Sequence, residues 1–386
     1  MRLPRLLSVL GVLTAAFLFA GPPIAAGCEC DSPYVRHDGK VRHKGSVIRV
    51  YPTHHDDTAN LRCALRVASR EPGHTIELAA GQFWTRQLWA AGFVGTLKGA
   101  GADKTILSNP GPLKVADDVI MNPPSSSNLW PALLTFVDGD FTVSDLGIRM
   151  RGPLVTAPWS FFGTIFENVV LGEIIVTGSH ADASFERLAV EGATVEKGYG
   201  APYDDVVSLF YQPILGGWAK TLSGRFTVAG CTFRNVAMGF NAAVVEHAQV
   251  TWHANTVVDS GAGFEIWDAV HVLVEANRNR VQDATGQETG LPFVPYPAIA
   301  VGGSSFAGLG LQDTQVVLTD NEVSGIADQW GLWVSPWETD TLRTIAAGNA
   351  FSGTTGIYLG LNSKGSIVKA EGVPVVDEGS DNWVLP

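Results

Sequence analysis

A short pattern of apolar and polar positions recurs along the chain. It comprises a short strand, a small turn residue, a second short strand and a third strand of the form Gly-aromatic-x-apolar, and residues 250–268 show it most clearly. Within each predicted strand apolar residues alternate with others, which is typical of a β-strand with one buried face. The aligned turn positions are Asp145, Asn168, Arg187, Cys231, Asn255, Asn277, Asn321 and Asn349.

These turns recur at a spacing of about 22 residues, with two steps of about twice that length. One such unit has no core of its own, whereas stacked units bury a continuous apolar column. Asparagine suits the turn because it tolerates left-handed backbone, and stacked amides can hydrogen-bond along the column. The pattern therefore predicts a solenoid. Leucine-rich repeats are excluded because regularly spaced leucines are missing, and the period is too short for a propeller blade.

The segment HHDDTANLRCALRVASREPGHTIELAAGQFW, residues 54–84, precedes the repeats. Together with them it resembles the right-handed parallel β-helix proteins of the pectate-lyase-like superfamily, in which an Asp-Asp-Thr-led helix caps the coil and a T-I-x-L strand follows. Asp57 or Thr58 can cap this helix, and Leu61, Leu65 and Val67 form its apolar face. The resemblance spans residues 55–365 and implies an all-β fold, a right-handed parallel β-helix with a short N-terminal capping helix.

The predicted organisation has five parts. They are a signal peptide (1–27), an N-terminal tail (28–54), the capping helix and first coil (55–110), the parallel β-helix (111–365) and a C-terminal cap (366–386). The signal peptide is indicated by two arginines, an apolar run over residues 6–20 and small residues after it. We therefore expect an exported protein that is extracellular, periplasmic or an outer-membrane lipoprotein.

The four cysteines refine this expectation. Residues 25–28 are similar to a bacterial lipoprotein cleavage site, which would place a lipid on Cys28 and give the chain its one membrane attachment; simple secretion is the alternative. If Cys28 carries lipid, Cys30 and Cys63 are the natural disulfide pair in an oxidising compartment. Cys231 lies at a repeat turn and is expected to be a buried free thiol.

The chain of 386 residues has a net charge of −12, and removal of residues 1–27 takes away two arginines and no acid. No basic run remains, which argues against nucleic acid as a partner. An acidic surface also disfavours tight capture of polyanionic sugars unless a cation bridges them. We expect a monomer.

The resemblance also indicates where a site would lie, because in the family the strand after the third turn lines the substrate groove. Alternation along these strands places Phe264, Ile266, Ile299, Val301, Leu332, Val334, Ile357 and Leu359 inside. It points a second set outward: Asn241, Glu265, Trp267, Ala300, Trp333 and Tyr358.

Aromatic faces on a flat sheet suit sugar rings, so a polysaccharide or cell-surface glycan is the predicted partner. Asn241, Trp267, Trp333 and Tyr358 are the candidate substrate-binding residues, and Glu265 with Asp268 are the candidate catalytic carboxylates. The alternative is that the 283–296 loop covers these side chains.

Two functional classes remain open. The first is a polysaccharide lyase or glycoside hydrolase, for which calcium is a conceivable cofactor in the lyase case. The second is a non-catalytic cell-envelope β-helix that binds glycan or has a structural role. The polygalacturonase-type motifs are absent, and no Asp cluster is followed by an outward Arg. No metal site is predicted, since residues 54–57 lie directly before a helix and suit a capping role.

Overall fold

The computed structural model describes most of the chain from residue 33 to the C-terminus. The described residues are 33–38, 47–86, 88–109, 133–137, 139–151, 159–161, 164–166, 174–177, 182–191, 194–197, 207–211, 221–236, 238–286, 296–302, 310–336, 340–370 and 372–386. The predicted signal peptide, Cys28 and Cys30 lie outside them. No helix among the described residues is long and apolar enough to cross a membrane.

The strands form three long sheets that run side by side, each built from parallel neighbours contributed by successive coils. The chain visits sheet 1, sheet 2 and sheet 3 in turn and then returns to sheet 1 one rung further on. Within the described residues this gives nine coils that contain a strand in all three sheets, which confirms the predicted parallel β-helix.

Sheet 1 consists of Val47–Val50, His74–Leu78, Gly95–Lys98, Phe141–Ser144, Asp182–Glu191, Thr221–Ala229, the second half of Met238–His253, Leu273–Asn277, Thr314–Thr319, Leu342–Ala347, Ile367–Lys369 and Trp383–Leu385. Sheet 2 consists of Gly81–Trp84, Thr105–Ser108, Gly147–Met150, Thr194–Lys197, Thr232–Arg234, Thr256–Val258, Arg280–Gln282, Glu322–Ser324 and Ala350–Ser352. Sheet 3 consists of Leu88–Ala91, Leu134–Val137, Ile174–Thr177, Val207–Tyr211, the first half of Met238–His253, Ala262–Val270, Ile299–Gly302, Trp330–Ser335, Gly356–Leu359 and Val375–Asp377.

Four further strands lie outside this scheme. Val35–Asp38 pairs antiparallel with the first strand of sheet 1, and Leu311–Gln312 lies beside the end of Ala262–Val270. Trp159–Phe161 and Thr164–Phe166 form an antiparallel hairpin.

The inward faces of the sheets fill the coil with apolar side chains. All eight residues that alternation placed inside sheet 3 are fully buried. Aromatic rings stack between coils, with Phe240 and Phe264 5.2 Å apart and nearly parallel, and Trp252 packs edge-on against both. Period-two alternation along these strands therefore predicted correctly which of their residues face the inside of the coil.

An asparagine ladder runs through the turn between sheets 1 and 2. Asn255, Asn279, Asn321 and Asn349 occupy successive coils, and each side-chain oxygen accepts the backbone N–H of the ladder residue before it; Asn321 Oδ1, for example, lies 3.0 Å from Asn279 N. The amide nitrogens donate to main-chain carbonyls, such as Asn279 Nδ2 to Trp252 O at 3.1 Å. Buried turn groups are thereby satisfied.

Three of the predicted turn positions need correction. Asn277 is not in the ladder: it lies two residues earlier and bonds His253, while Asn279 takes the ladder place. Asp145 occupies the left-handed position directly before the ladder, and Arg187 lies within a strand. Counting along the sequence could not choose between two asparagines two residues apart. Asn168 lies outside the described residues.

The capping helix spans Thr58–Ala68 and buries Leu61 and Leu65, as predicted. Asp57 precedes it, but its carboxylate accepts N–H groups of Thr53 and Trp84, at 2.8 and 3.0 Å, rather than a helix amide. The helix N–H of Thr58 is instead bonded by Asp56 at 2.9 Å. Asp57 therefore fixes the helix to the first strand of sheet 2.

The cysteines fit the expected oxidation states as far as they are described. Cys63 is disulfide-bonded and Cys231 is a buried free cysteine. The partner of Cys63 lies outside the described residues, so its pairing with Cys30 stays a prediction.

At the other end, residues 366–386 add further rungs to sheets 1 and 3. The side chains of the last strand are exposed to solvent: Trp383 is 67% exposed, and Val384 and Leu385 are also exposed.

Candidate functional site

One outward row of sheet 3 carries most of the predicted site residues. The strand register aligns Asn241, Glu265, Ala300, Trp333, Tyr358 and Val376 on successive rungs. Asn241, Glu265 and Ala300 are buried, and we call them the covered half of the row. Trp333 and Tyr358 are half-buried and Val376 is 41% exposed. With Trp330, whose ring is tilted against that of Tyr358, they are the exposed half.

Glu265 is the chemical centre of the covered half. Only 3% of its surface is exposed, and its carboxylate accepts the hydroxyl of Tyr296 at 2.6 Å and the amide of Asn241 at 3.4 Å. Burial, which disfavours the charged form, raises the pKa of Glu265 to about 7, while the two hydrogen bonds act in the opposite direction. This carboxyl group therefore titrates near neutral pH.

The cover over Glu265 comes from the connection between sheets 2 and 3. The backbone N–H of Tyr296 donates to Gly286 O at 2.7 Å, and Gln329 Nε2 donates to Tyr296 O at 2.8 Å. Residues 287–295 lie outside the described part of the chain. Tyr296, at the described end of the 283–296 loop, thus lies against Glu265, and the alternative in which this loop covers the outward aromatic side chains stays a prediction.

Trp267 follows Glu265 on the same strand and was predicted to present its ring to substrate. It is 4% exposed in this structure. The prediction of an outward, accessible tryptophan is therefore corrected: alternation gives its direction, but packing over this part of the sheet removes its face from solvent.

Asp268 has a different setting from Glu265. It lies where the strand leaves sheet 3, with a left-handed φ of 44° that aspartate tolerates, and it is buried. Its Oδ1 accepts the backbone N–H of Gly310 at 2.9 Å. The Asp268 carboxylate therefore stabilises a turn. Its hydrogen bond to Gly310 is separate from the hydrogen bonds that Glu265 makes with Tyr296 and Asn241.

Two tryptophans and a tyrosine cluster in the exposed half. The Tyr358 ring lies 6.4 Å from that of Trp333, nearly parallel at 13°, and 5.4 Å from that of Trp330. The Tyr358 hydroxyl donates to Glu378 at 2.7 Å, and this bond raises the pKa of Tyr358, with burial and the negative charge of Glu378 adding to it. The three rings form one aromatic surface at the C-terminal end of the row.

Sequence reasoning missed Trp330. Strict alternation gives it the inward direction of Leu332, but the pairing register shifts between these two residues, and the Trp330 ring contacts that of Tyr358 at a tilt of 37°. Gly331 occupies the irregularity, and a Cβ there would lie 2.4 Å from the Phe351 ring. A glycine inside a strand was the available signal, since it often marks a bulge.

Metal ligands do not converge in the described residues: no group of three or more His, Cys, Asp or Glu side chains there could hold an ion. In the His54–Asp57 segment, Asp56 accepts the helix N–H of Thr58, and Asp57 accepts the N–H groups of Thr53 and Trp84.

Comparison with known proteins adds little to this geometry. No family model matches the chain, and no curated protein does. Among solved structures, the A-module of the Azotobacter vinelandii mannuronan C-5 epimerase AlgE6 is similar at 12% identity and a TM-score of 0.38, covering 86% of this chain and 96% of that one. The A-module of AlgE4 from the same organism is similar at 15% identity and a TM-score of 0.26, with the same coverage. These scores are too low to carry an argument, and the fold rests on the strand pairing itself.

Proposed function

We propose that this protein binds a polysaccharide or cell-surface glycan through the exposed half of the sheet 3 row. The observation that carries the proposal is the cluster of Trp330, Trp333 and Tyr358 rings, half-buried on adjacent coils. Clustered aromatic surface on a soluble scaffold is characteristic of interaction sites.

A sugar chain fits the shape of this surface. Neighbouring rungs of a parallel sheet lie about 4.8 Å apart, so rings on successive coils are spaced for successive contacts along an extended chain. The C–H faces of pyranose rings pack on such surfaces much as aromatic rings pack on each other. The β-helix holds the rings rigidly, which lowers the entropic cost of binding an extended polymer.

The proposed setting is outside the cytoplasm. The N-terminal sequence is typical of an export signal, and the disulfide at Cys63 suits an oxidising compartment. We include in the proposal a lipid on Cys28, which would attach the protein to a membrane and leave Cys30 to pair with Cys63.

Binding of the mature protein to a panel of neutral and uronic-acid polysaccharides, with and without calcium, tests the proposal. Trp333→Ala should weaken binding severalfold, since each aromatic contact is worth about 0.5–1.5 kcal/mol. Trp383→Ala is the matched control, because Trp383 is exposed on sheet 1, away from the row. Equal losses in both variants, or no binding to any polysaccharide, would contradict the proposal.

A second candidate function is catalysis by Glu265. Its pKa of about 7 suits a general acid or base, and that observation alone favours an enzyme of the lyase or hydrolase type. Substrate could reach the carboxyl group only after the Tyr296 contact opens. No step through calcium is derived, because the described residues offer no ligand cluster.

Glu265→Gln separates the two candidates. In an enzyme it should abolish turnover with little change in affinity for polysaccharide, whereas a binding protein shows no turnover and should keep its affinity in this variant. Any turnover detected in the panel and retained by this variant would remove Glu265 from catalysis.

A further inference from the structure

The cations at the C-terminal end of the coil lie on the sheet 1 side, away from sheet 3. The cations from residue 322 onward are Arg343, Lys364 and Lys369. Arg343 and Lys369 lie on strands of sheet 1, and Lys364 lies at the turn that leads into it. Lys364 and Arg343 face a shared cavity that also contains Asp313 and Asp340. No cation of these coils therefore lies on the sheet 3 strands that carry the aromatic rings.

An acidic side chain, by contrast, contacts the exposed half. Glu378 accepts the Tyr358 hydroxyl at 2.7 Å, and Asp377 precedes it at the end of the last strand of sheet 3. Asp328 lies two residues before Trp330 and is exposed. Glu378 is therefore the acidic side chain that contacts these rings, whereas Asp377 lies opposite the inward Leu359 in the register and accepts the Gly379 N–H and the Asn382 amide.

From this arrangement we infer that the exposed half selects positively charged glycans, namely polymers of hexosamine with free amino groups, over uronic-acid polymers. The inference rests on the proposed function and names its ligand class. Tryptophan and tyrosine faces attract ammonium groups. A hexosamine ring on Tyr358 would bring its ammonium group near the Glu378 carboxylate, whereas a uronate there would meet like charge.

The expected preference is moderate, because the site is open to solvent. An exposed cation–π contact and a surface ion pair each contribute little, and together they correspond to about threefold to tenfold in affinity. The charge contribution adds to the binding energy from packing of sugar faces on the rings. Neutral glycans gain that packing energy as well.

The test uses oligomers of equal length made of glucosamine, N-acetylglucosamine or galacturonate, titrated against the mature protein at about pH 5.5, where the sugar amines carry charge. We expect glucosamine oligomers to bind most tightly and galacturonate oligomers most weakly. Glu378→Gln should reduce the ratio of glucosamine to N-acetylglucosamine affinity about twofold to fivefold. Glu275→Gln is the matched control, because Glu275 lies on sheet 1 and bonds Gln249.

Each outcome decides a different question. If glucosamine oligomers bind no better than the acetylated ones, or galacturonate binds best, the inference is overturned and the proposed function stands. If Glu378→Gln and Trp333→Ala both keep the full preference, the attraction comes from the overall negative charge and the inference is likewise overturned. If no oligomer and no polysaccharide binds, the proposed function itself fails.

Discussion

The covered and exposed halves of the sheet 3 row differ in solvent exposure, although all their side chains point outward from the same sheet. Glu265 and Tyr358 both point outward, yet Glu265 is buried and Tyr358 is half-exposed. The difference lies in the connections. Residues 283–298 lead from sheet 2 into the strand beside Glu265 and place Tyr296 over it, whereas the corresponding connections before Trp330 and Gly356 are only 325–329 and 353–355. Strand pleating sets direction, and connection length sets exposure.

The two halves also contain the same chemical pair in different surroundings. Tyr296 donates to Glu265 at 2.6 Å in the covered half, and Tyr358 donates to Glu378 at 2.7 Å in the exposed half. Burial raises the pKa of Glu265 to about 7, while in the exposed pair the shifted group is Tyr358, whose pKa is raised. The same hydrogen bond thus belongs to a packed interior in one place and to a candidate binding surface in the other.

The largest contrast should come from removing one tryptophan in each region. Trp267→Ala empties a buried site and should lower the free energy of unfolding by about 3–5 kcal/mol. Trp333→Ala should lower it by about 1 kcal/mol or less, because its ring is partly in solvent. Denaturant titration of both variants measures the difference, and equal losses would mean that Trp333 is a packing residue.

Enlarging a side chain should likewise destabilise the covered half of the row more than the exposed half. Ala300 is fully buried between Glu265 and Trp333 in the row, so Ala300→Trp should cost about 1–3 kcal/mol of stability by overpacking. Val376→Trp, two rungs beyond Trp333, should change stability by no more than about 0.5 kcal/mol. An Ala300→Trp variant with unchanged stability would show that the residues over Ala300 move easily to make room for a larger side chain.

The protonation of Glu265 should make stability depend on pH. Its folded pKa of about 7 lies above the ordinary value of 4.5, so the folded state binds more protons between these two values. Stability is then fully present at acidic pH and falls as the pH rises to about 7, by about 1–3 kcal/mol. Glu265→Gln should match the wild type near pH 4 and exceed its melting temperature at pH 8.

Glu378→Gln serves as the matched control for this experiment, because it removes an exposed carboxylate rather than the buried one. A wild-type profile that is flat between pH 4 and 8 would show that Glu265 is solvated, and the covered half would then not be closed in solution.

The smallest contrast concerns the two tyrosine hydroxyls. Tyr296→Phe leaves a buried carboxyl oxygen without its donor and should cost about 1–2 kcal/mol. Tyr358→Phe removes an exposed bond, which water replaces, and should cost less than about 0.5 kcal/mol. Thermal unfolding at one pH compares them directly, and a reversed order would contradict the assignment of covered and exposed halves.

Much of the fold was predictable from the sequence because its signals are local. The alternation that buries Phe264, Ile266 and Leu332 has a period of two residues. The repeat of about 22 residues predicts stacked coils without any information on distant contacts. The amphipathic pattern of Thr58–Ala68 likewise predicts its buried face. The same alternation predicts that the side chains of Glu265 and Trp333 point out of the coil.

Only the tertiary structure decided what those outward residues meet. Burial of Glu265 depends on Tyr296, which is 31 residues away in sequence and reaches it through a connection whose path no periodicity specifies. The choice of Asn279 over Asn277 follows from register with Asn255 and Asn321 on neighbouring coils. Trp330 joins the aromatic surface because the register shifts at Gly331. Each of these outcomes is set by the relation between coils, whereas alternation within a strand specifies direction alone.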